Sequence, residues 1–570
     1  MAPSVDTATQ NTLDPFVSVA DILGAASRKC PDKPAIIVQR PPSSRQSASA
    51  QHAHSCWCAR RDISFEELNA EVDRFAHGLS DYGIERGMRT ILMVKPGIAF
   101  FVLTFALFKI GAVPVLIDPG MGRKKLIRCL EEIEAEAFVG IPLAHIARLM
   151  FAKSFRTVRK CVTAGPRLFW GGASLRDVRS QKPEPFATAN VAANDLAAIL
   201  FTSGSTGPAK GVAYEHGMFA SQVRYLESYF ECGDRDIDVA TFPLFALFDV
   251  ALGMTAIIPD MNPSMPARAN PERIVAAIRD NHATQIFGSP ALLARVVAYC
   301  EDTKVDLPTL RRVLTAGAPI PPSLLARLRH IVSVAANIYT PYGATESLPV
   351  ASIESREVIN ETAIRTSEGA GICVGRSLPG MDLRVIEISD EPIADRSQCE
   401  DLKVGEIGEI CVRGPVVTKT YFRKPDATKL AKIIDGDTIW HRMGDVGYLD
   451  DSGRLWFCGR KAHRVQTSSG VLFTIPCEAV FNTHPKVARS ALVGVGCAPN
   501  QTPVLCVEAV SGAAVDKDGL TAELLAIGEQ NPKTSSIRTV LYHPSFPVDV
   551  RHNAKINREQ LALWAASQLR

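Results

Sequence analysis

The chain of 570 residues carries 14 cysteines yet has no C-x-x-C pair anywhere. The scattered thiols read as reduced, most of them small core hydrophobes. The opening segment MAPSVDTATQ has neither the basic patch nor the apolar core of a secretory signal. A cytoplasmic protein with reduced cysteines is therefore expected. Excess charge is also missing: 63 Lys plus Arg stand against 60 Asp plus Glu, with the signs interleaved, which is no footprint for nucleic acid. The 39 glycines and 37 prolines follow no G-x-y period, so a collagen-like rod is excluded. Uninterrupted apolar stretches of bilayer length are lacking as well. Ile98–Ile117, IAFFVLTFALFKIGAVPVLI, comes nearest, but Lys109, Gly111 and Pro114 break it. It reads as a buried helix capped by Gly111 and followed by a buried strand, not as a transmembrane span.

What is present is the composition of a globular protein, with 46% hydrophobic and 22% charged residues, in a length that calls for several domains. Strand-like runs such as RTILMV (Arg89–Val94), AVPVLI (Ala112–Ile117), LAAILF (Leu196–Phe201) and RRVLTAG (Arg311–Gly317) alternate with helix-like segments. One of these, Phe65–Gly83, has helical spacing and ends on glycine. This alternation predicts an α/β architecture with largely parallel sheets. After about Gly380, shorter β-rich pieces (LRVIEI, GEICVRG, GRLWFCG) predict a barrel-like or antiparallel subdomain. The segment Gln39–Arg60 is a low-complexity insert. Its His52, His54, Cys56 and Cys58 alternate, but without a second ligand cluster the insert reads as a solvated loop.

The densest chemistry lies in TSGSTGPAKG, Thr202–Gly211, directly after the strand LAAILF. Thr202, Ser203, Ser205 and Thr206 supply hydroxyl donors, while Gly204 and Gly207 let backbone N–H groups approach an anion closely. Lys210 adds a positive charge. A polyphosphate suits this loop, although no G-K-[ST] closes it in the Walker manner.

The segment resembles the phosphate loop of the acyl-adenylate-forming superfamily, and further motifs of that superfamily follow in the same order to the end of the chain. TAGAPI (Thr315–Ile320) is similar to its adenine-contacting turn, at Gly317, Ala318 and Pro319. TPYGATES (Thr340–Ser347) resembles the motif in which an aromatic stacks on adenine (Tyr342, followed by Gly343), a threonine reaches phosphate (Thr345) and a glutamate holds magnesium (Glu346). RMGDVGYLD (Arg442–Asp450) supplies Asp445 for the ribose hydroxyls. GRKAHR (Gly459–Arg464) supplies Arg460 and marks a hinge, and VRHNAKINRE (Val550–Glu559) supplies the catalytic Lys555.

The resemblance implies ATP and Mg²⁺ as cofactors, with Thr206 and Glu346 at the metal and Thr206, Glu346 and Lys555 in catalysis. It also implies a large ATP- and acyl-binding domain over 1–458 and a small, mobile α+β domain over 459–570. The expected first step is attack of a substrate carboxylate on the α-phosphate of ATP.

GAVPVLIDPGMGRKKL (Gly111–Leu126), FPLFALFDVALG (Phe242–Gly253), IFGSPALLAR (Ile286–Arg295), TPYGATESLPVASI (Thr340–Ile353) and VDVRHNAKINRE (Val548–Glu559) resemble a narrower branch, the β-lactone synthetases of long-chain olefin biosynthesis. In that branch the acceptor is the β-hydroxyl of the long-chain β-hydroxy acid substrate itself. A long-chain acyl-CoA synthetase is the alternative on the same fold. Pathway neighbours implied by the branch are a thiolase-like condensing enzyme, a reductase and a β-lactone decarboxylase. The apolar run Phe242–Ile258 could line a dry acyl pocket or be plain core. His216, His441 and His463 fall near motifs, but none is assigned as a general base.

Overall fold

The computed structural model describes residues 18–40, 60–201, 209–510, 516–548 and 556–569. The insert's His52, His54, Cys56 and Cys58 lie outside the described residues.

Two seven-stranded sheets form the body. The first runs, in spatial order, Asn337–Tyr339, Arg312–Thr315, Gln285–Gly288, Ile237–Ala240, Thr255–Ile258, Pro34–Val38 and Asp62–Ser64. The second runs Ala173–Ser174, Lys160–Thr163, Ala137–Gly140, Arg89–Met93, Val113–Leu116, Leu196–Phe201 and Gly211–Glu215. Each is parallel except for its last strand, which pairs antiparallel at the edge. Parallel strands need crossovers, and helices supply them here, as the alternating sequence pattern predicts.

Helix Phe65–Asp81 begins in a reciprocal cap, Ser64 Oγ accepting from the Glu67 N–H and Glu67 Oε2 from the Ser64 N–H, both at 3.2 Å. Beside it lies helix Ile98–Ile110, in which every residue except Ala99 is buried. It shares one apolar core with residues of both sheets, among them Ile36, Ala256, Leu116 and Val139. A helix apolar on all faces needs such surroundings, and this one has them inside the protein. Its Lys109 is neutralised there by Asp73 Oδ1 at 2.5 Å and Asn69 Oδ1 at 3.0 Å. The helix ends at Gly111 (φ 76°), and the buried strand Val113–Leu116 follows. Among the described residues, no helix is long and apolar enough to cross a membrane.

A third, antiparallel sheet of eight strands takes in Tyr342–Ala344, Ser347–Ser352, Ile372–Ser377, Leu455–Arg460, Thr438–Leu449, Gly408–Arg413, Asp382–Ile386 and Lys432–Asp435. It begins well before Gly380, because the hydroxyl- and glycine-rich TPYGATES hides its first hairpin from an alternation test. Beyond it, Val487–Val495, Thr502–Ala509 and Thr539–Tyr542 form a small sheet packed with helices Thr474–Phe481, Lys517–Glu529 and Arg558–Gln568.

Candidate active site

The candidate residues gather where parallel strands of the first sheet end. Ligands of open α/β sheets bind outside the carboxyl ends of the strands, and neighbouring strands deliver their following loops to the same edge. Strand Arg312–Thr315 leads into the turn holding Gly317, Ala318 and Pro319, and Gly317 has a left-handed φ of 93°. Its neighbour Asn337–Tyr339 leads directly to Tyr342.

Tyr342–Ala344 and Ser347–Ser352 then form a hairpin whose two-residue loop is Thr345–Glu346. Gly343 has no room for a side chain, since a Cβ there would lie 2.5 Å from the Ser347 carbonyl oxygen. The loop is tethered at its backbone. The Tyr214 hydroxyl donates to the Thr345 carbonyl at 2.5 Å. The Thr418 N–H and Oγ1 donate to the Glu346 carbonyl at 2.9 and 3.0 Å.

Two charged constellations result. In the first, Asp445 and Arg460 face each other across paired strands, with Asp445 Oδ1 3.0 Å from an Arg460 guanidinium nitrogen. The Tyr342 hydroxyl donates to Asp445 Oδ2 at 2.6 Å. Burial and the adjacent carboxylate hold the Tyr342 phenol well above its usual range, so it stays a donor. The Asp445 carboxylate in turn raises the pKa of Arg460. In the second, the Tyr421 hydroxyl donates to Glu346 Oε1 at 2.7 Å, and the Lys210 ammonium sits 4.7 Å from the centre of the Tyr421 ring.

Lys432 lies behind this second group, buried, with its ammonium donating to the Thr418 carbonyl. Burial pushes its pKa down to about 7, against the pull of the Glu346 carboxylate. A hard carboxylate held by the Tyr421 hydroxyl, with Lys210 against the Tyr421 ring, Lys432 behind and the Tyr342 ring fixed through Asp445, suits a metal–nucleotide.

The structure thus brings together Lys210, Glu346, Tyr342, Asp445 and Arg460. Thr202, Ser203, Gly204, Ser205, Thr206, Gly207 and Lys555 lie outside the described residues. Tyr421, Thr418, Tyr214 and Lys432 were missed by sequence reasoning. Tyr421 stands 75 residues from the glutamate it binds, and no spacing rule connects them.

The three histidines near the motifs are fixed in structural settings. His216 packs edge-on against Phe108, and burial lowers its pKa to about 4. His441 donates through Nδ1 to the Ala431 carbonyl at 3.1 Å and is held far below its usual range by burial, with Lys432 adding to the effect. His463 is also lowered to about 4, by burial and the nearby Arg558.

The run Phe242–Ile258 divides between two roles. Ala246, Leu247, Val250, Ala251, Met254 and Ala256–Ile258 are core. Leu244, Phe245 and Phe248 are half-buried, with Phe245 stacked on Phe287 at 4.3 Å. Phe242 is exposed.

Residues 25–422 match the family of AMP-binding enzymes, and the chain belongs to that family. Within it, the chain is 48% identical over 559 residues to an olefin β-lactone synthetase of Stenotrophomonas maltophilia, covering 97% of this chain and 98% of the relative. It is 47% identical to an olefin β-lactone synthetase of Xanthomonas campestris pv. campestris, over 97% and 99%. The fold is that of adenylate-forming enzymes. An amide bond synthetase from Marinactinospora thermotolerans superposes with a TM-score of 0.77 at 22% identity, over 96% of this chain and 99% of that one.

Proposed function

We propose that the protein uses ATP to adenylate a long-chain β-hydroxy acid and then closes the substrate's own β-hydroxyl onto the activated carbonyl, giving a β-lactone, AMP and pyrophosphate. The observation that carries this reading is the near-full-length identity of almost half to two olefin β-lactone synthetases. The gathered adenylation residues are consistent with it.

In the first step a carboxylate oxygen of the substrate bonds to the α-phosphorus and the bond to pyrophosphate breaks. Tyr342 and the Gly317–Ala318–Pro319 turn hold adenine. Asp445, oriented by Arg460 and the Tyr342 hydroxyl, accepts the ribose hydroxyls. The Thr202–Gly207 loop, Thr345, Lys210 and Lys555 meet the phosphates. Glu346 and Thr206 would hold Mg²⁺, which neutralises phosphate charge when bound.

In the second step the hydroxyl oxygen bonds to the acyl carbonyl carbon, its proton is lost, and AMP leaves. The ring is strained, so what the protein contributes is orientation of the hydroxyl and exclusion of water from a reactive anhydride. The half-buried Leu244, Phe245 and Phe248 offer an apolar wall for the alkyl chain. Residues 1–458 make up the ATP- and acyl-binding body, and 459–570 form the small mobile domain that brings Lys555. A thiolase-like condensing enzyme and a reductase would supply the substrate, and a β-lactone decarboxylase would consume the product.

The test is incubation with ATP, Mg²⁺ and a racemic long-chain β-hydroxy acid without coenzyme A, with products read by mass spectrometry. Lactone is expected. Thioester formed only on adding coenzyme A would replace this reading with an acyl-CoA synthetase, and absence of AMP in both cases would refute adenylation. Lys555→Ala should abolish AMP release, and near-normal release would remove that residue from the mechanism.

A further inference from the structure

One face of the body, three strands along the second sheet from the strand Leu196–Phe201 that precedes the phosphate loop, exposes large apolar side chains together. Helix Pro142–Met150 presents Leu143 at 70% exposure and Met150 at 70%, with Ile146 and Leu149 also exposed. The loop after strand Lys160–Thr163 adds Leu168 at 58% and Phe169 at 80%.

The helix and the loop are joined. The Arg148 guanidinium donates to the Trp170 carbonyl at 3.1 Å, and His145 stacks on Trp170 with ring centres 5.4 Å apart and planes 4° from parallel. His145 is fully buried and bonded at 3.1 Å to the Val162 carbonyl, so the helix lies flat on the sheet with its inner side anchored. Its outer side, at the spacing 143, 146, 149–150, is exposed among the described residues. Patches of this kind on a soluble protein mark an interaction site.

Charge identifies what it meets. Residues 142–182 hold nine Lys and Arg (148, 153, 156, 159, 160, 167, 176, 179 and 182) against a single acid, Asp177, in a chain whose total net charge is only +3. Some are already neutralised: Arg156 by Glu134, Arg167 by Asp177, Arg179 by Glu71 and Lys182 by Asp81. Lys153, Arg159 and Arg176 are exposed and make no salt bridge among the described residues. Protruding Leu, Ile, Met and Phe beside a basic, nearly acid-free segment is the composition of a surface that lies in a lipid interface, with apolar side chains below the headgroups and cations among them.

We infer that the helix Pro142–Met150 and the Leu168–Phe169 loop dock this protein on an anionic membrane surface. The inference stands on this face alone and is independent of the reaction proposed above. Docking is peripheral: the helix is nine residues long, far short of a span.

The experiment is co-sedimentation of the full chain with large unilamellar vesicles of phosphatidylcholine containing roughly a third phosphatidylglycerol, beside vesicles of phosphatidylcholine alone. The native chain should bind the anionic vesicles, bind the neutral ones much less, and release at high salt. The double variant Leu143→Glu, Phe169→Glu should bind at least about tenfold more weakly while keeping its ATP–pyrophosphate exchange and its unfolding temperature. Lys153→Glu with Arg176→Glu, which leaves the apolar contacts in place, should weaken binding to anionic vesicles only. The inference is overturned if the native chain ignores both vesicle types, or if the apolar double variant binds as well as the native chain. It is equally overturned if light scattering shows that the face joins two copies of the chain, the variant restoring monomer while vesicle binding is unchanged.

Discussion

Replacing Asp249 by asparagine should make the protein more stable at alkaline pH and leave it unchanged near pH 4. Asp249 sits on helix Ala246–Ala251, under the half-buried Phe245 and Phe248, and its carboxyl meets that of Asp238 on strand Ile237–Ala240. Both are fully or almost fully buried, beside Gln285 and the Asp236–Arg312 ion pair. Two like charges cannot both ionise there, so one carboxyl stays protonated and donates to the other. Burial raises Asp238 from 3.8 to about 6, and burial together with Asp238 raises Asp249 well above its usual range. Both groups therefore hold protons in the folded state that the unfolded chain releases. Their favourable state is complete below pH 4 and is lost as pH climbs through 6 and beyond.

Burial causes the Asp238 shift and persists in the variant, whereas the penalty on Asp249, from burial and from the Asp238 carboxyl beside it, is removed. Asparagine keeps a donor for Asp238 and has no carboxyl for the unfolded chain to ionise, so Asp249→Asn should recover roughly 1–3 kcal/mol at alkaline pH. In a chain of this size that is about 1–3 °C in the first unfolding transition. Scanning calorimetry of both proteins from pH 4 to 9 reads the effect. A gain that does not depend on pH, or a variant less stable than the native protein at pH 8, would refute the shared-proton account.

Tyr421→Phe removes the hydroxyl that orients Glu346, and loss of one hydrogen bond to a carboxylate, about 1.4 kcal/mol, should lower ATP–pyrophosphate exchange about tenfold at limiting Mg²⁺. An unchanged magnesium titration would argue against Glu346 as the metal ligand. Glu409→Gln strips the partner from Arg442, where both side chains are 1% exposed and 2.7 Å apart, and also from Lys461 at 3.0 Å. Breaking a buried pair should cost about 3–5 kcal/mol, read as a lower urea midpoint with an unchanged slope. Lys432→Met keeps the volume but drops the ammonium bound to the Thr418 carbonyl, so it should lower exchange activity with little change in unfolding temperature. Full activity in that variant would show that Lys432 does not position the Glu346 loop.

Much was legible in the residues themselves. The break of Ile98–Ile117 into helix, glycine and strand follows from local rules, since a left-handed cap and a change of periodicity act within one turn of chain. The alternation that yields two parallel sheets is likewise local, and so are the hydroxyl- and glycine-rich loop after Leu196–Phe201 and the order of the adenylation motifs. Contacts between distant segments were not legible. Neither Tyr421 on Glu346 nor Thr418 beneath it leaves a mark in either segment, because hydrogen bonds across more than seventy residues carry no periodicity. The division of Phe242–Ile258 into core and exposed wall also needed neighbours, as a phenylalanine reads the same whether it faces a sheet or a cleft. The sequence by itself determined which elements form and which reactive residues exist. Only the tertiary structure decided which of them meet, which histidines are held in buried structural settings, and which apolar face is exposed among the described residues. Burial and charge pairing are properties of the assembled neighbourhood, not of any stretch of chain.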